Sequence, residues 1–278
     1  MLRDITIGQY YEKESIIHKL DPRLKFIATM VYMISVFCFS RFVGLMVCFL
    51  YLAFIVKLSK VPVKFIVRGL KPLAVLLIFT MGIHILCTDG YVLFHYGIIT
   101  VTLEGIRKAF FMVFRMCLLV FGASMMTFTT TPNQLTDAME KIFRPLNRVK
   151  IPVHEMAMMM SIALRFIPIL LEETDKIMKA QTARGADFET GGIMKKAKAM
   201  LPLLVPLFVA AFRRANDLAM AMEARCYRGG KGRTKMRPLK YHMIDILGYF
   251  VVLLYIVTLI EALHYLPTIW SVIPYPVE

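Results

Sequence analysis

The sequence predicts an all-α polytopic membrane protein. It has about five transmembrane helices and a cytoplasmic helical module of three helices between spans four and five. Three observations predict this. The 278 residues are 58% hydrophobic and only 19% charged, against about 45–50% and 25% for soluble domains. The charge is lopsided, with 34 Lys+Arg against 19 Asp+Glu. The basic residues also gather between alternate apolar runs, as in a multi-spanning protein whose positive loops stay inside. Nucleic acid, the other usual partner of such charge, fits poorly because so little of the chain lies outside apolar segments, and none is expected.

Residues 1–25 are polar, with no signal-peptide core, and read as an uncleaved cytoplasmic N-terminus. The transmembrane part covers 26–128 and 241–263. A crossing helix takes about 20 apolar residues. Runs 26–40 and 42–56 are shorter and are parted only by Arg41. They read as a tight helical hairpin with Arg41 at its tip, a single bent helix being the alternative. Lys25 and Lys57 extend them by laying their stems along lipid and lifting the ammonium to the interface. Spans three to five are 72–87, 109–128 and 244–263. Arg115 lies inside span four, either as a functional intramembrane charge or turned outward to the interface.

The basic residues set the orientation. Arg3, Lys13, Lys19, Arg23 and Lys25 precede span one. Lys57, Lys60, Lys64, Arg68 and Lys71 separate spans two and three, and residues 133–240 hold 20 Lys+Arg against 10 Asp+Glu. The opposite segments hold Arg41 and none in 88–106 or 264–278. The N-terminus is therefore expected inside, and the tail 264–278 outside. Arg107 and Lys108 are the local exception.

The cytoplasmic module spans 129–240. Thr131, Pro132 and Gln134 form a helix start, and Leu135, Met139 and Ile142 share one apolar face of the helix 132–143. A second helix, 152–184, repeats Met156, Met159, Met160 and Ala163 at helical spacing, with Pro168 expected to kink it. The four methionines at 156 and 158–160 are either core filling or an adaptable partner surface. The third helix, 195–225, contains an apolar run, 201–212, too short for a lipid crossing and expected to bury against protein. The two long helices end on related triplets, Ala183-Arg184-Gly185 and Ala224-Arg225-Cys226. Small neighbours let a backbone approach a groove while the guanidinium reaches ahead as a planar donor fork. One such Arg serves equally to complement a helix dipole; two copies in one insert favour a paired docking site.

At these residues the chain resembles the transmembrane T component of energy-coupling factor (ECF) transporters, the EcfT/CbiQ family. Further matches are Leu20-Asp21-Pro22-Arg23-Leu24-Lys25, Leu103-Glu104-Gly105 and Leu164-Arg165-Phe166-Ile167-Pro168. The second triplet departs from the family's usual Ala-Arg-Gly, with Cys226 in the Gly position. The resemblance implies a non-catalytic coupling subunit of a vitamin or micronutrient importer in the bacterial plasma membrane. Two ABC ATPases, an EcfA-type pair, would bind ATP, and a separate S component would hold the substrate. Arg184 and Arg225 would anchor the ATPases, with Ala183, Gly185, Ala224 and Cys226 as close-approach neighbours. Leu135, Met139, Met156, Met159 and Met160 would form the scaffold under the S component.

No cofactor or metal is expected on this chain. Cys38, Cys48, Cys87, Cys117 and Cys226 form no CxxC, and no phosphate-loop, HExxH or GxSxG motif is present. Gly229-Gly230 reads as a flexible turn. Glu172, Glu173 and Asp175 read as a solvated or Arg-paired face. The competing functions are a stand-alone secondary transporter and an intramembrane lipid-modifying enzyme. The first lacks an inverted repeat, and the second lacks polar clusters within the spans.

Overall fold

A computed structural model describes residues 10–39, 42–96, 99–186, 188, 192–230, 236, 239 and 241–270. Arg41 lies outside them. The chain divides into two compact units, one over Gly8–Leu135 with Leu239–Glu278, the other built on Thr136–Pro238.

The first unit holds α1 (Ile16–Lys19), α2 (Pro22–Cys38), α3 (Phe42–Ser59), α4 (Val63–Arg68), α5 (Ala74–Cys87), α6 (Leu103–Thr129) and α10 (Met243–Trp270). Among the described residues, five segments are long and apolar enough to cross a membrane: α3, Val63–Cys87, α6, Val153–Ala183 and Met243–Ala262. At 17 residues, α2 is slightly shorter. Apolar residues cover α3, α5 and α10 almost all round, as in lipid-facing segments: Leu50, Ile78 and Leu247 are all more than 60% exposed. The core lies where α2, α3, α6 and α10 meet, around Tyr32, Val36, Leu45, Cys48, Leu118 and Tyr255.

Close approach depends on Gly122, where a Cβ would fall on the Tyr32 ring. Polar contacts then tie the helices together, as buried hydroxyls do between membrane helices. The Tyr255 hydroxyl meets Ser35 Oγ at 2.6 Å and donates to Cys48 Sγ at 3.3 Å, while Tyr255 stacks on Tyr51 with ring centroids 4.0 Å apart.

Helix starts at one end of this unit share a single carboxylate. Asp245 is fully buried. Its Oδ1 accepts the backbone N–H of Asp21 at 2.7 Å, and its Oδ2 that of His242 at 2.6 Å. Asp21 caps α2 in turn, accepting the N–H of Arg23 at 2.8 Å. The Arg23 guanidinium donates to the Leu239 carbonyl and lies 5.0 Å over the Tyr241 ring. The Leu20–Lys25 motif is thus a joint between the start of α2 and the start of α10. Lys25 departs from the expected snorkelling. It is 7% exposed and donates to the carbonyls of His18 at 3.1 Å and Thr129 at 2.9 Å, because two open carbonyls lie closer than water. Nearby, burial holds the His18 imidazole below its usual 6.5, against the raising effect of its hydrogen bond to Tyr11.

At the other end, Arg115 turns neither to solvent nor into an open pathway. Its guanidinium donates to the carbonyl of Phe39, which closes α2, and lies 4.8 Å over the Phe111 ring. The segment between α5 and α6, whose role the sequence leaves open, forms a hairpin, β1 (Val92–Tyr96) antiparallel to β2 (Ile99–Thr102). The Leu103–Gly105 motif anchors it. Thr102 Oγ1 caps α6 through the Gly105 N–H, Glu104 accepts the Tyr91 N–H at 2.7 Å, and Gly105 lies where a Cβ would press on the His84 and Ile85 carbonyls.

Replacing Asp245 with Ala leaves the buried Asp21 N–H and the partly buried His242 N–H without acceptors, at about 1–3 kcal/mol for the former and less for the latter. We expect a loss of about 2–5 kcal/mol, read as a lowered thermal midpoint of the purified protein. An unchanged midpoint would remove the joint from the account.

Candidate functional site

The second unit carries both Arg triplets. Its entry helix, α7 (Pro132–Phe143), starts with the expected reciprocal cap: Thr131 Oγ1 accepts the Gln134 N–H at 3.3 Å, and Gln134 Oε1 accepts the Thr131 N–H at 3.2 Å. A 3-10 turn over Arg144–Val149 and Lys150 in a left-handed conformation then lead into α8 (Val153–Ala183). α8 runs unbroken through Pro168, and α9 (Ile193–Ala224) unbroken through Pro202 and Pro206.

The two helix ends are built alike. After α8, Gly185 N–H donates to the Thr182 carbonyl at 2.9 Å and Ala186 N–H to Gln181 at 3.0 Å. After α9, Cys226 N–H donates to Glu223 at 2.8 Å and Tyr227 N–H to Met222 at 3.0 Å. Each is a Schellman cap, whose crossed bonds satisfy the last carbonyls of a helix. Arg184 and Arg225 occupy the same capping position with nearly the same backbone, φ −86 and ψ 6 against φ −91 and ψ 15. The next residue must be left-handed, and it is in both: φ is 88 at Gly185 and 55 at Cys226. This explains a small third residue in the triplet. Glycine adopts that conformation freely; a side chain there costs about 1–2 kcal/mol.

Ala183, Arg184, Gly185, Ala224, Arg225 and Cys226 are all exposed. Among the described residues neither guanidinium has a hydrogen bond or an ion pair, so both forks are open to an outside acceptor.

α8 and α9 pack against each other, with Arg214 donating to Glu173 Oε2 at 3.3 Å. Of the acidic face expected on the second helix, Glu173 is therefore paired across to the third, while Glu172 is exposed. The helices run in opposite senses, since Gly230, just past α9, lies where a Cβ would strike the His154 ring in the first turn of α8. Gly230 is thus packed closely on His154, which pairs through Nδ1 with Glu140 at 3.0 Å, whereas at Gly229, with φ 87, a Cβ would meet nothing within 4 Å. Arg184 lies eleven residues beyond Glu173, and Arg225 eleven beyond Arg214. At 1.5 Å per residue each Arg-bearing arm is about 16 Å long. Because the arms point oppositely, the tips are separated by about 20 Å or more. They form two sites and not one.

The scaffold residues are exposed as well. Met156, Met159 and Met160, one face of α8, are 54–59% exposed, which removes the core-filling reading. Met139 is exposed on α7, and Leu135 is half-buried on the same face. The run 201–212 was expected to be buried, but only Leu203 is. Leu204, Val205, Phe208 and Phe212 stand open, because α8 covers one side of α9 and nothing among the described residues of this unit covers the other. Among the described residues no cluster of His, Cys, Asp or Glu could hold a metal ion.

Residues 13–236 match the family model CbiQ, described as cobalt transport protein. The chain belongs to the CbiQ family. Curated relatives named energy-coupling factor transporter transmembrane protein EcfT extend the similarity. One from Ruminiclostridium cellulolyticum is 50% identical over 263 residues, covering 94% of this chain and 98% of the relative. One from Acidaminococcus fermentans is 52% identical over 255 residues, covering 91% and 94%. With its apolar helices, this CbiQ-family chain is a multi-pass membrane protein of a transporter.

Cys226→Gly should raise stability by about 0.5–1 kcal/mol by relieving the left-handed side chain, and Gly185→Cys should lower it similarly. Chemical denaturation of both variants reads this; equal and opposite shifts are expected.

Proposed function

We propose that this protein is the transmembrane component of an ECF-type ABC importer for vitamins or other micronutrients. It takes motion from two cytoplasmic ATPases, an EcfA-type pair, and passes it to a substrate-binding S component. ATP is bound by the ATPases, and this chain is not catalytic. The observation that carries the reading is the pair of open, identically capped Arg tips on equal arms. A separation of about 20 Å or more suits one tip in each of two subunits, and a guanidinium fork suits the carboxylates or free carbonyls of a groove.

The relatives' name supplies the transporter class. The open apolar surface of α9 and the methionine face of α8 supply a seat for a second membrane protein. Methionine surfaces repack against differing partners, which suits exchangeable S components.

The reading places α8 outside the bilayer core, although it is long and apolar enough to cross. Its mean hydropathy, 1.4, is the lowest of the five candidate spans. Arg165 stands exposed at its middle, and an arginine at a bilayer centre costs about 2.5–3.5 kcal/mol or more. The crossings are then α2, α3, Val63–Cys87, α6 and α10, with the N-terminus cytoplasmic, the C-terminus extracellular and the basic surfaces at the cytoplasmic face.

Arg184→Ala with Arg225→Ala should leave the protein in the membrane, abolish copurification of the ATPases and stop ATP-driven uptake in cells. Uptake at the parental rate in that double variant would overturn the reading. A charge swap tests the crossing point. Glu173→Arg and Arg214→Glu should each lower uptake, and the two together should restore it, while stability changes by no more than about 1 kcal/mol.

A further inference from the structure

The membrane unit contains a cavity of about 400 Å3 that the coupling role does not use. That is within the range of about 300–1,000 Å3 found for small-ligand sites. Its walls come from α1, α2, α3, α6 and α10. They belong to the first half of α2, the last turns of α3 and α6, and the first turns of α10, so the cavity lies toward one membrane surface.

Its chemistry excludes a water-filled role. Five polar side chains line it: Lys25, Thr29, Tyr32 and Thr129 each donate to a protein carbonyl, and Tyr51 stacks on Tyr255. Lys25 serves His18 and Thr129, Thr29 serves Lys25, Tyr32 serves Leu118, and Thr129 serves Met125. A buried water needs two to four polar partners, and the remaining walls are almost wholly aliphatic and aromatic. The cavity also opens sideways. The lining residues Ile16, Phe54 and Leu247 are 54%, 48% and 62% exposed, on helices whose outer surface is apolar. What lies outside such a surface in a bilayer is hydrocarbon.

The end of the opening is basic. Lys57 follows the rim residue Phe54 by one helical turn and borders the lining residue Leu58, and Lys60 follows at the end of α3. Both are exposed, and among the described residues neither has an ion pair. An ammonium there sits at the headgroup level of a lipid whose chain points into the cavity.

We propose that this cavity holds one acyl chain of a phospholipid with an anionic headgroup, whose phosphate region lies against Lys57 and Lys60. The bound chain fills the gap between α2, α3, α6 and α10 as an additional packing element of the membrane unit.

The full-length protein, with any subunits that accompany it, is placed in nanodiscs containing a photoactivatable phosphatidylglycerol with a diazirine in its acyl chain. A parallel sample contains the phosphatidylcholine analogue. After irradiation, labelled residues are located by peptide mass spectrometry. Label is expected on cavity residues such as Ala28, Met126 and Val252, and stronger with phosphatidylglycerol. Ala28→Phe and, independently, Val252→Phe fill the space and should each remove it, while labelling on the lipid-facing surface of α5 stays constant as a control for folding. Lys57→Gln and Lys60→Gln should each lower the phosphatidylglycerol preference about fivefold without moving the label. The proposal is overturned by label spread evenly over lipid-facing helices, by equal labelling from the two lipids, by cavity label that persists in both filled variants, or by a partner's polypeptide occupying the cavity.

Discussion

A helix end leaves backbone donors or acceptors without partners, and in or near a bilayer water does not supply them cheaply. Asp245 meets this constraint for two helices at once: one buried carboxylate takes the N–H groups that open α2 and α10, those of Asp21 and His242. Lys25 closes the carbonyl end of α6 from the same region, and Arg115 closes the far end of α2. The membrane unit is held by charged side chains placed at helix ends, while its outer surface remains apolar. Charge in this unit therefore follows the backbone groups that need it.

The same constraint shapes the second unit by another device. Two helices of more than thirty residues end on exposed residues, and among the described residues no side chain donates to their last carbonyls. The backbone folds back on itself in the Schellman arrangement, and the capping position presents an arginine. The triplet is thus a consequence of how a long helix stops. The small residue after Arg is required by the left-handed backbone before any groove is considered, and Cys226 shows that the conformation survives a side chain at some cost.

The helices, the reciprocal Thr131–Gln134 cap and both triplets were legible in the sequence because each is written in neighbouring residues. Capping and termination are local, and apolar length is additive along the chain. What was not legible depends on residues distant in sequence. Nothing around Lys25 indicates that its ammonium would find Thr129 rather than the interface. Nothing around Glu173 names Arg214. The run 201–212 reads as buried because its composition is that of a core, but composition does not say whether the covering surface belongs to the same chain. The outer hairpin escaped notice because Val92–Thr102 lies between two strong helical signals and is short.

The ion pair between α8 and α9 divides each helix unequally, yet leaves the two Arg-bearing arms the same length. Two rods crossing at such a point behave as levers with a short arm at the Arg tip and a far arm of about 30 Å, back to Val153 on α8 and to Ile193 on α9. A turn of ten degrees about the crossing would carry each tip through about 3 Å, given arms of about 16 Å, in opposite directions and without bending either rod. The far end of each rod would move about 5 Å in the same turn, so a short stroke at a guanidinium becomes a longer one at the start of its helix.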